Sequence, residues 1–171
     1  MSIRFIKNRQ LYDEVIEPLA KARKFIWIGT ADLKDLHVRS GGRIQSFLGV
    51  LDQLARKKVA IRLLHAKEPG PNFRSSFDKY PFLWKHMERQ LCPRVHFKHI
   101  IVDGHFAYTG SANMTGAGLG MKSKHTRNFE SGIIATDKSL VEQIMDQFDE
   151  VWMGKFCTEC KRRDYCGDPI T

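Results

Sequence analysis

The chain has no apolar run near the ~20 residues that a membrane-spanning helix needs. Its opening residues, Met1-Ser2-Ile3-Arg4-Phe5-Ile6-Lys7, lack the long apolar stretch of a secretory leader. The expectation is a cytoplasmic protein. Acidic residues are the scarcer charge: 19 Asp and Glu stand against 28 Lys and Arg, a formal net charge of +9 over 171 residues. That balance disfavours a polycationic partner and favours a polyanion, either nucleic acid or an anionic membrane surface. Cysteine is sparse, with four residues: Cys92, Cys157, Cys160 and Cys166. In a cytoplasmic chain these point to metal or redox chemistry rather than structural disulfides. Internal repeats and low-complexity segments are missing too, which excludes solenoids and arrays. What remains is an ordinary hydrophobic share of 42% and a length that suits one domain with its own core.

Chemistry concentrates between His96 and Asn113, which reads H-F-K-H-I-I-V-D-G-H-F-A-Y-T-G-S-A-N. The residues around His96 are strand-like: Val95, Phe97, Ile100, Ile101 and Val102 are β-branched or aromatic. On a strand, residues two apart face one side, so His96 and Lys98 aim an imidazole and an ammonium at one spot. Ser111 and Asn113 share the same offset. Gly110 lets a backbone come close to a bound group. The set offers a nucleophile or base, a fixed positive charge and neutral donors, which a phosphate developing negative charge requires. Asp103 has the opposite parity and is expected to be a structural carboxylate, turned from the substrate.

This pattern resembles the HKD signature of the phospholipase D superfamily, with His96, Lys98, Asp103, Gly110, Ser111 and Asn113 filling its positions. The resemblance implies a phosphodiesterase in which two HKD histidines meet at one site. One attacks phosphorus and becomes a covalent phosphohistidine; the other protonates the leaving oxygen and then activates water. The lysines and asparagines hold phosphate oxygens, and no catalytic metal is used. A downstream acid orients the nucleophilic histidine in the family. Asn128-Phe129-Glu130-Ser131 matches that position, so Glu130 is the candidate. Only one copy of the motif is present: His65-Ala66-Lys67 begins alike but runs into Glu68-Pro69-Gly70-Pro71, a turn. The resemblance therefore implies a homodimer with the site on its two-fold axis.

Along the chain, residues 3–6 read as a short strand. Asn8 is placed to cap a helix over 11–22, and 24–30 reads as a buried strand. Residues 43–57 form an amphipathic helix with Ile44, Phe47, Leu48, Leu51 and Leu54 on one stripe; 59–64 is the next strand. This order argues for parallel pairing and an α/β architecture, and the resemblance implies a phospholipase D-like fold with a central mixed sheet flanked by helices. Residues 68–72 break the chain. Residues 82–91 read as a helix carrying Trp84, Met87 and Leu91 inward. The motif strand follows, then Asp103-Gly104 as a hairpin turn and a second strand over 106–109. Residues 114–127 hold three glycines and then Lys122, Lys124, His125 and Arg127. The expectation is a mobile loop that grips a nucleic-acid backbone at the mouth of the site. A strand over 129–136 and a helix over 138–152, with Val141, Ile144, Met145, Phe148, Val151 and Trp152 on one face, complete a domain over 1–154.

Residues 155–171 form a cysteine-rich tail, expected to pack on that domain and to bind metal. Its C-x2-C-x5-C spacing, with Cys92 as a fourth ligand, suits a tetrahedral zinc site; a [4Fe-4S] cluster is the alternative, and free or redox thiols a third possibility. His65 or His86 could stand in for Cys92. The spacing also resembles the cysteine staple of Cas4- and AddB-type nucleases, a resemblance confined to the staple. The most favoured function is a nuclease on DNA or RNA. One rival is a lipid hydrolase, for which no basic helix with a strong apolar face is evident. The other is a non-catalytic nucleic-acid-binding module, using Lys161, Arg162 and Arg163 between the cysteines.

Overall fold

The β-branched and aromatic runs that flank the motif become neighbours in one sheet. The computed structural model describes residues 2–170; Met1 and Thr171, the outermost residues of the two expected segments, lie outside them. The elements follow in the order β1 (Ile3–Lys7), α1 (Arg9–Ala20), β2 (Phe25–Thr30), β3 (His37–Ser40), β4 (Arg43–Ser46), α2 (Phe47–Arg56), β5 (Ala60–His65), α3 (Pro71–Phe77), α4 (Pro81–His86), β6 (Met87–Leu91), β7 (His99–Val102), β8 (Phe106–Gly110), β9 (Ser131–Ala135) and α5 (Lys138–Trp152). Seven strands form one sheet in the order β1-β9-β8-β7-β2-β5-β6, and β3 with β4 forms a separate ribbon. The β2–β5 and β5–β6 pairs are parallel; the others in the large sheet are antiparallel. This is the expected α/β fold with a central mixed sheet.

Period-2 alternation sends the two faces into different cores. Ile26, Ile28, Ile61, Leu63, Ile100, Val102, Tyr108 and Ile134 pack with α1 and α2. On the opposite face, Leu64, Ile101, Ala107 and Ala135 meet Val141, Ile144 and Phe148 of α5. Phe148 and Leu11 are fully buried, and each such side chain contributes about 1.5–3 kcal/mol through removal from water. Asp137 caps α5, its carboxylate accepting the Leu140 N–H at 3.1 Å. Arg62 fastens the same helix from the sheet. Its guanidinium lies 5.2 Å from the rings of both Trp27 and Trp152, and 3.7 Å from Asp149.

Four local expectations need correction. The helix expected over 43–57 begins only at Phe47; residues before it form the β3–β4 ribbon, and Ile44 is 60% exposed. Gly41 and Gly42, at φ of 58° and 77°, supply the left-handed turn that reverses the chain there. The helix expected over 82–91 ends at His86, the chain continues as β6, and Trp84 faces solvent. Met87 and Leu91 do point inward. Their separation of four satisfies a helical and an extended period alike, and parallel pairing to β5 settles the choice. The motif strand starts at His99, not before His96. Finally, the Asn8 side chain makes no cap bond to α1.

Candidate active site

Three strand ends meet at one place. Gly29 of β2 lies opposite His99 of β7, so the C-terminal end of β2 adjoins the entry to β7. β8 returns along β7 with Thr109 opposite His99. One further bond, from the Gly110 N–H to the Lys98 carbonyl at 3.2 Å, extends that pairing. The His96-Phe97-Lys98 segment and the Gly110-Ser111-Ala112-Asn113 segment are thereby brought side by side.

Lys98 is buried, 8% exposed, while the His96 ring is open to solvent. The Lys98 ammonium donates to the His96 carbonyl at 2.6 Å and stands 3.3 and 3.5 Å from the two ring nitrogens. Desolvation pulls the Lys98 pKa below the ordinary lysine value, against the opposing pull of the Glu130 carboxylate nearby. An ammonium short of solvent and set against an imidazole is well placed to receive an anion.

Asn113 is held by its carbonyl oxygen, which accepts from the backbone N–H groups of Ala31 (3.2 Å) and Asp32 (3.1 Å) and from the Thr30 hydroxyl (3.3 Å). The amide nitrogen is the half left to donate. The Ser111 hydroxyl donates to the Glu130 carboxylate and accepts the Ser131 N–H at 3.1 Å. Glu130 was expected on the His96 ring; within the chain its partners are Ser111 and the Asn128 amide, the latter at 3.0 Å.

Asp103 occupies the turn between β7 and β8. Its φ of 54° and the 72° of Gly104 give the tight left-handed turn that Asp-Gly favours. The carboxylate reaches across to accept the N–H groups of Arg23 (2.9 Å), Lys24 (2.7 Å) and Phe25 (2.9 Å), tying that turn to the start of β2. Partial burial pushes its pKa up, but the three donors, chiefly Phe25, outweigh this and leave it below the ordinary carboxylate value. At Gly110 the close approach is by the chain itself. A side chain there would overlap the Ser131 carbonyl and the Tyr108 hydroxyl, and would lie 2.7 Å from the Gly132 Cα.

Four supports carried no usable sequence signal. Tyr108 is fully buried, and its hydroxyl accepts the Ala112 N–H at 3.2 Å, holding the Ser111–Asn113 segment down. Burial pushes its pKa up to about 12. Thr30 accepts the Met114 N–H at 3.1 Å. Asn8, at φ 51°, donates its N–H to the Glu130 carbonyl at 2.8 Å and accepts the Glu130 N–H at 3.3 Å. Asn128 holds the Glu130 carboxylate directly. Each is an ordinary polar residue whose partner lies far along the chain or within a loop.

The basic loop is turn-rich and without helix, and its start is fixed by burial of Met114 and Leu119. Lys122, Lys124 and Arg127 line a cavity of about 290 Å³ with Asn8, Arg9 and Phe129. His125 is exposed on the same loop but is not part of that lining. The four cysteines are free and half-buried, and together line a separate cavity of about 280 Å³. His65 and His86 lie outside it: His65 is buried with Nδ1 2.8 Å from the Lys67 carbonyl, and His86 stacks on Phe82. Among the described residues, no three His, Cys, Asp or Glu side chains are arranged to hold one metal ion. Nor is any described helix long and apolar enough to cross a membrane.

A family model described as "Cardiolipin synthase, PLD-like domain" matches residues 15–152. Solved structures that share the fold include the following three. NucT from Helicobacter pylori superposes with a TM-score of 0.65 at 12% identity, covering 89% of this chain and 97% of that one. Nuc, a phospholipase D family member from Salmonella typhimurium, gives 0.62 at 16%, covering 89% and 94%. TrmBL2, an archaeal chromatin protein with a novel mode of DNA binding, gives 0.61 at 15%, covering 90% of this chain and 52% of that one. No curated protein matches the sequence significantly.

Proposed function

The chain belongs to the phospholipase D-like domain family, and on that footing we propose that it is a nuclease, hydrolysing DNA or RNA without a catalytic metal. The observation that carries this is the side-by-side placement of the His96–Lys98 and Gly110–Asn113 segments, where β2 and β8 end and β7 begins. In the proposed reaction a neutral His96 attacks phosphorus, the bond to the leaving oxygen breaks, and a phosphohistidine forms. A second, protonated His96, from a partner chain, gives its proton to that oxygen. It then takes a proton from water, whose oxygen attacks phosphorus and releases the first histidine. Lys98 and the Asn113 amide nitrogen stabilise the phosphate oxygens. Glu130 fixes Ser111 and offers negative charge to the imidazolium as it forms.

Two histidines are needed and each chain supplies one, so the active form is a homodimer. An exposed apolar strip beside the site supports this. Phe5 and Ile133 are register partners at 63% and 36% exposure, and Phe129, next to Glu130, is 95% exposed. Such a strip can pair with its own copy about a two-fold axis, the commonest symmetry of oligomers. Specific activity should then fall on dilution below the dimer Kd. The net charge of +9 and the Arg9–Lys122–Lys124–Arg127 cavity favour a nucleic-acid backbone. Replacing Lys122 and Lys124 by Ala should lower the salt slope of binding by about 1.5 units. The description of the matching family names a lipid synthase, which makes an anionic phospholipid the competing substrate.

The deciding experiment is cleavage of labelled single- and double-stranded DNA and RNA by wild type and His96→Ala, in EDTA, beside cardiolipin and phosphatidylglycerol vesicles. Wild type should cut nucleic acid, and His96→Ala should lose about 10⁴-fold or more in kcat while keeping binding. Lipid turnover alone would select the competing substrate. Nucleic-acid binding with no cleavage by either protein would leave a binding module and refute the enzyme.

A further inference from the structure

The cysteine cavity takes no part in the phosphoryl chemistry, and it gathers ligating atoms from three places in the chain. Cys92 follows β6, Cys157 and Cys160 lie in the turns after α5, and Cys166 follows a short 3-10 turn at Arg163–Tyr165. Contacts independent of sulfur bring them together. The Cys92 N–H donates to the His65 carbonyl at 2.9 Å at the end of β5. Asp168 accepts the Leu91 N–H at 2.8 Å, and Ile170 packs over Gly154, so the tail folds back onto β6. The Cys166 thiol lies 3.7 Å from the Leu91 carbonyl.

We propose that these four cysteines hold a [4Fe-4S] cluster, one thiolate to each iron. The spread of the cysteines favours a cluster over a single ion. Zinc at about 2.3 Å from each of four sulfurs draws them to about 3.8 Å from one another. No three ligating side chains among the described residues are gathered so as to hold one ion. Instead all four cysteines line one cavity of about 280 Å³. Ligands on the walls of a volume suit a cluster, whose irons accept thiolates at outward corners. The charge is also provided for. Arg94 lines the cavity with Glu150 and Asp168, and Lys161, Arg162 and Arg163 lie between Cys160 and Cys166 in the sequence. Binding releases four thiol protons, and the cluster joins the tail to the segment that leads from Cys92 into His96.

The test is composition of the whole protein isolated without oxygen, and again after treatment of the apoprotein with equal amounts of ferrous and ferric iron and with sulfide, or with zinc alone. About four irons and four acid-labile sulfides per chain are expected, with a visible absorbance that bleaches on reduction. Cys92→Ser and Cys160→Ser should each lose most of the iron. His96→Ala should keep all of it, which separates the cluster from the proposed nuclease activity. Should the serine variants fail to fold, the wild-type composition still decides. Stoichiometric zinc without iron overturns the proposal, as does wild-type protein that takes up neither metal.

Discussion

Asp103 sits inside the signature, so its replacement separates a structural carboxylate from a chemical one. Its carboxylate accepts three backbone N–H groups, from Arg23, Lys24 and Phe25, at 2.7 to 2.9 Å. Hydrogen bonds to a charged group contribute about 1.5–3 kcal/mol each. Arg23 and Lys24 are exposed, so water replaces much of what they lose; Phe25 is partly buried. For Asp103→Ala the lost bonds come to about 3 kcal/mol. A left-handed φ of 54° for a residue with no polar side chain adds about 1 kcal/mol. Asp103→Asn tolerates that φ and keeps an oxygen for Lys24 and Phe25, so the cost falls to about 1.5–2 kcal/mol. At ~2–4 °C per kcal/mol for a chain of this length, Tm drops by roughly 3–8 °C for Asn and 8–16 °C for Ala.

Urea unfolding with an unchanged m-value measures the first effect, and kcat at 25 °C the second. The expected outcome for Asp103→Asn is lower stability with kcat within about threefold of wild type, since the carboxylate touches backbone and not the ring or ammonium of the site. The folded-state pKa of Asp103 lies below its unfolded value. Its stabilisation is therefore complete above the unfolded pKa of about 3.9 and lost as pH falls through the lowered folded value. Wild type and Asp103→Asn should converge in acid. Full stability together with a hundredfold loss of kcat would refute the structural role and place Asp103 in the chemistry.

Three further outcomes follow from the same geometry. Tyr108→Phe leaves the buried Ala112 N–H without its acceptor, which costs about 1–3 kcal/mol; thermal unfolding reads that loss, and a raised KM reads the loosened Ser111–Asn113 segment. Gly110→Ala forces a methyl into the Ser131 carbonyl and the Tyr108 hydroxyl, neither of which is a flexible chain end, so destabilisation of at least about 2 kcal/mol in urea is expected. His65 and His99 are both held below the ordinary histidine pKa, first by burial, so the unfolded chain binds more protons than the folded one. Stability should be flat above the unfolded pKa of about 6.5 and fall as pH drops below it toward the lowered folded values. Urea midpoints from pH 5 to 7.5 test the slope, and a midpoint that rises on acidification contradicts it.

What could be read in the sequence was whatever lies close together along it. His96 and Lys98 are two apart, Ser111 and Asn113 likewise, and Asp103-Gly104 names its own turn, so the resemblance to the family's signature could be read from a single stretch. β2, β5 and α5 declared themselves because an apolar run or stripe of adequate length has few other ways to be buried. The misread segments are those where local pattern was indifferent and a distant partner chose. Met87 and Leu91 fit two periods until β5 paired beside them. Ile44 fitted a helical stripe, but the Gly41-Gly42 turn drew it into a ribbon.

The same rule explains which parts of the site stayed hidden. Thr30 reaches Asn113, Asn8 reaches Glu130, and Asp103 reaches Arg23, across 83, 122 and 80 residues of sequence. The signature residues are legible because their types and short spacings stand together in the sequence. A supporting residue is constrained only by having an acceptor or donor at a point in space. Many residue types can meet that demand from many places in a sequence. Asn8 shows the consequence. Its position before α1 marks it as a helix cap, yet its side chain accepts the Glu130 N–H and makes no bond to the helix end. The start of α1 is thereby coupled to the acid of the site, and a change at Asn8 should act on Glu130 before it acts on the helix.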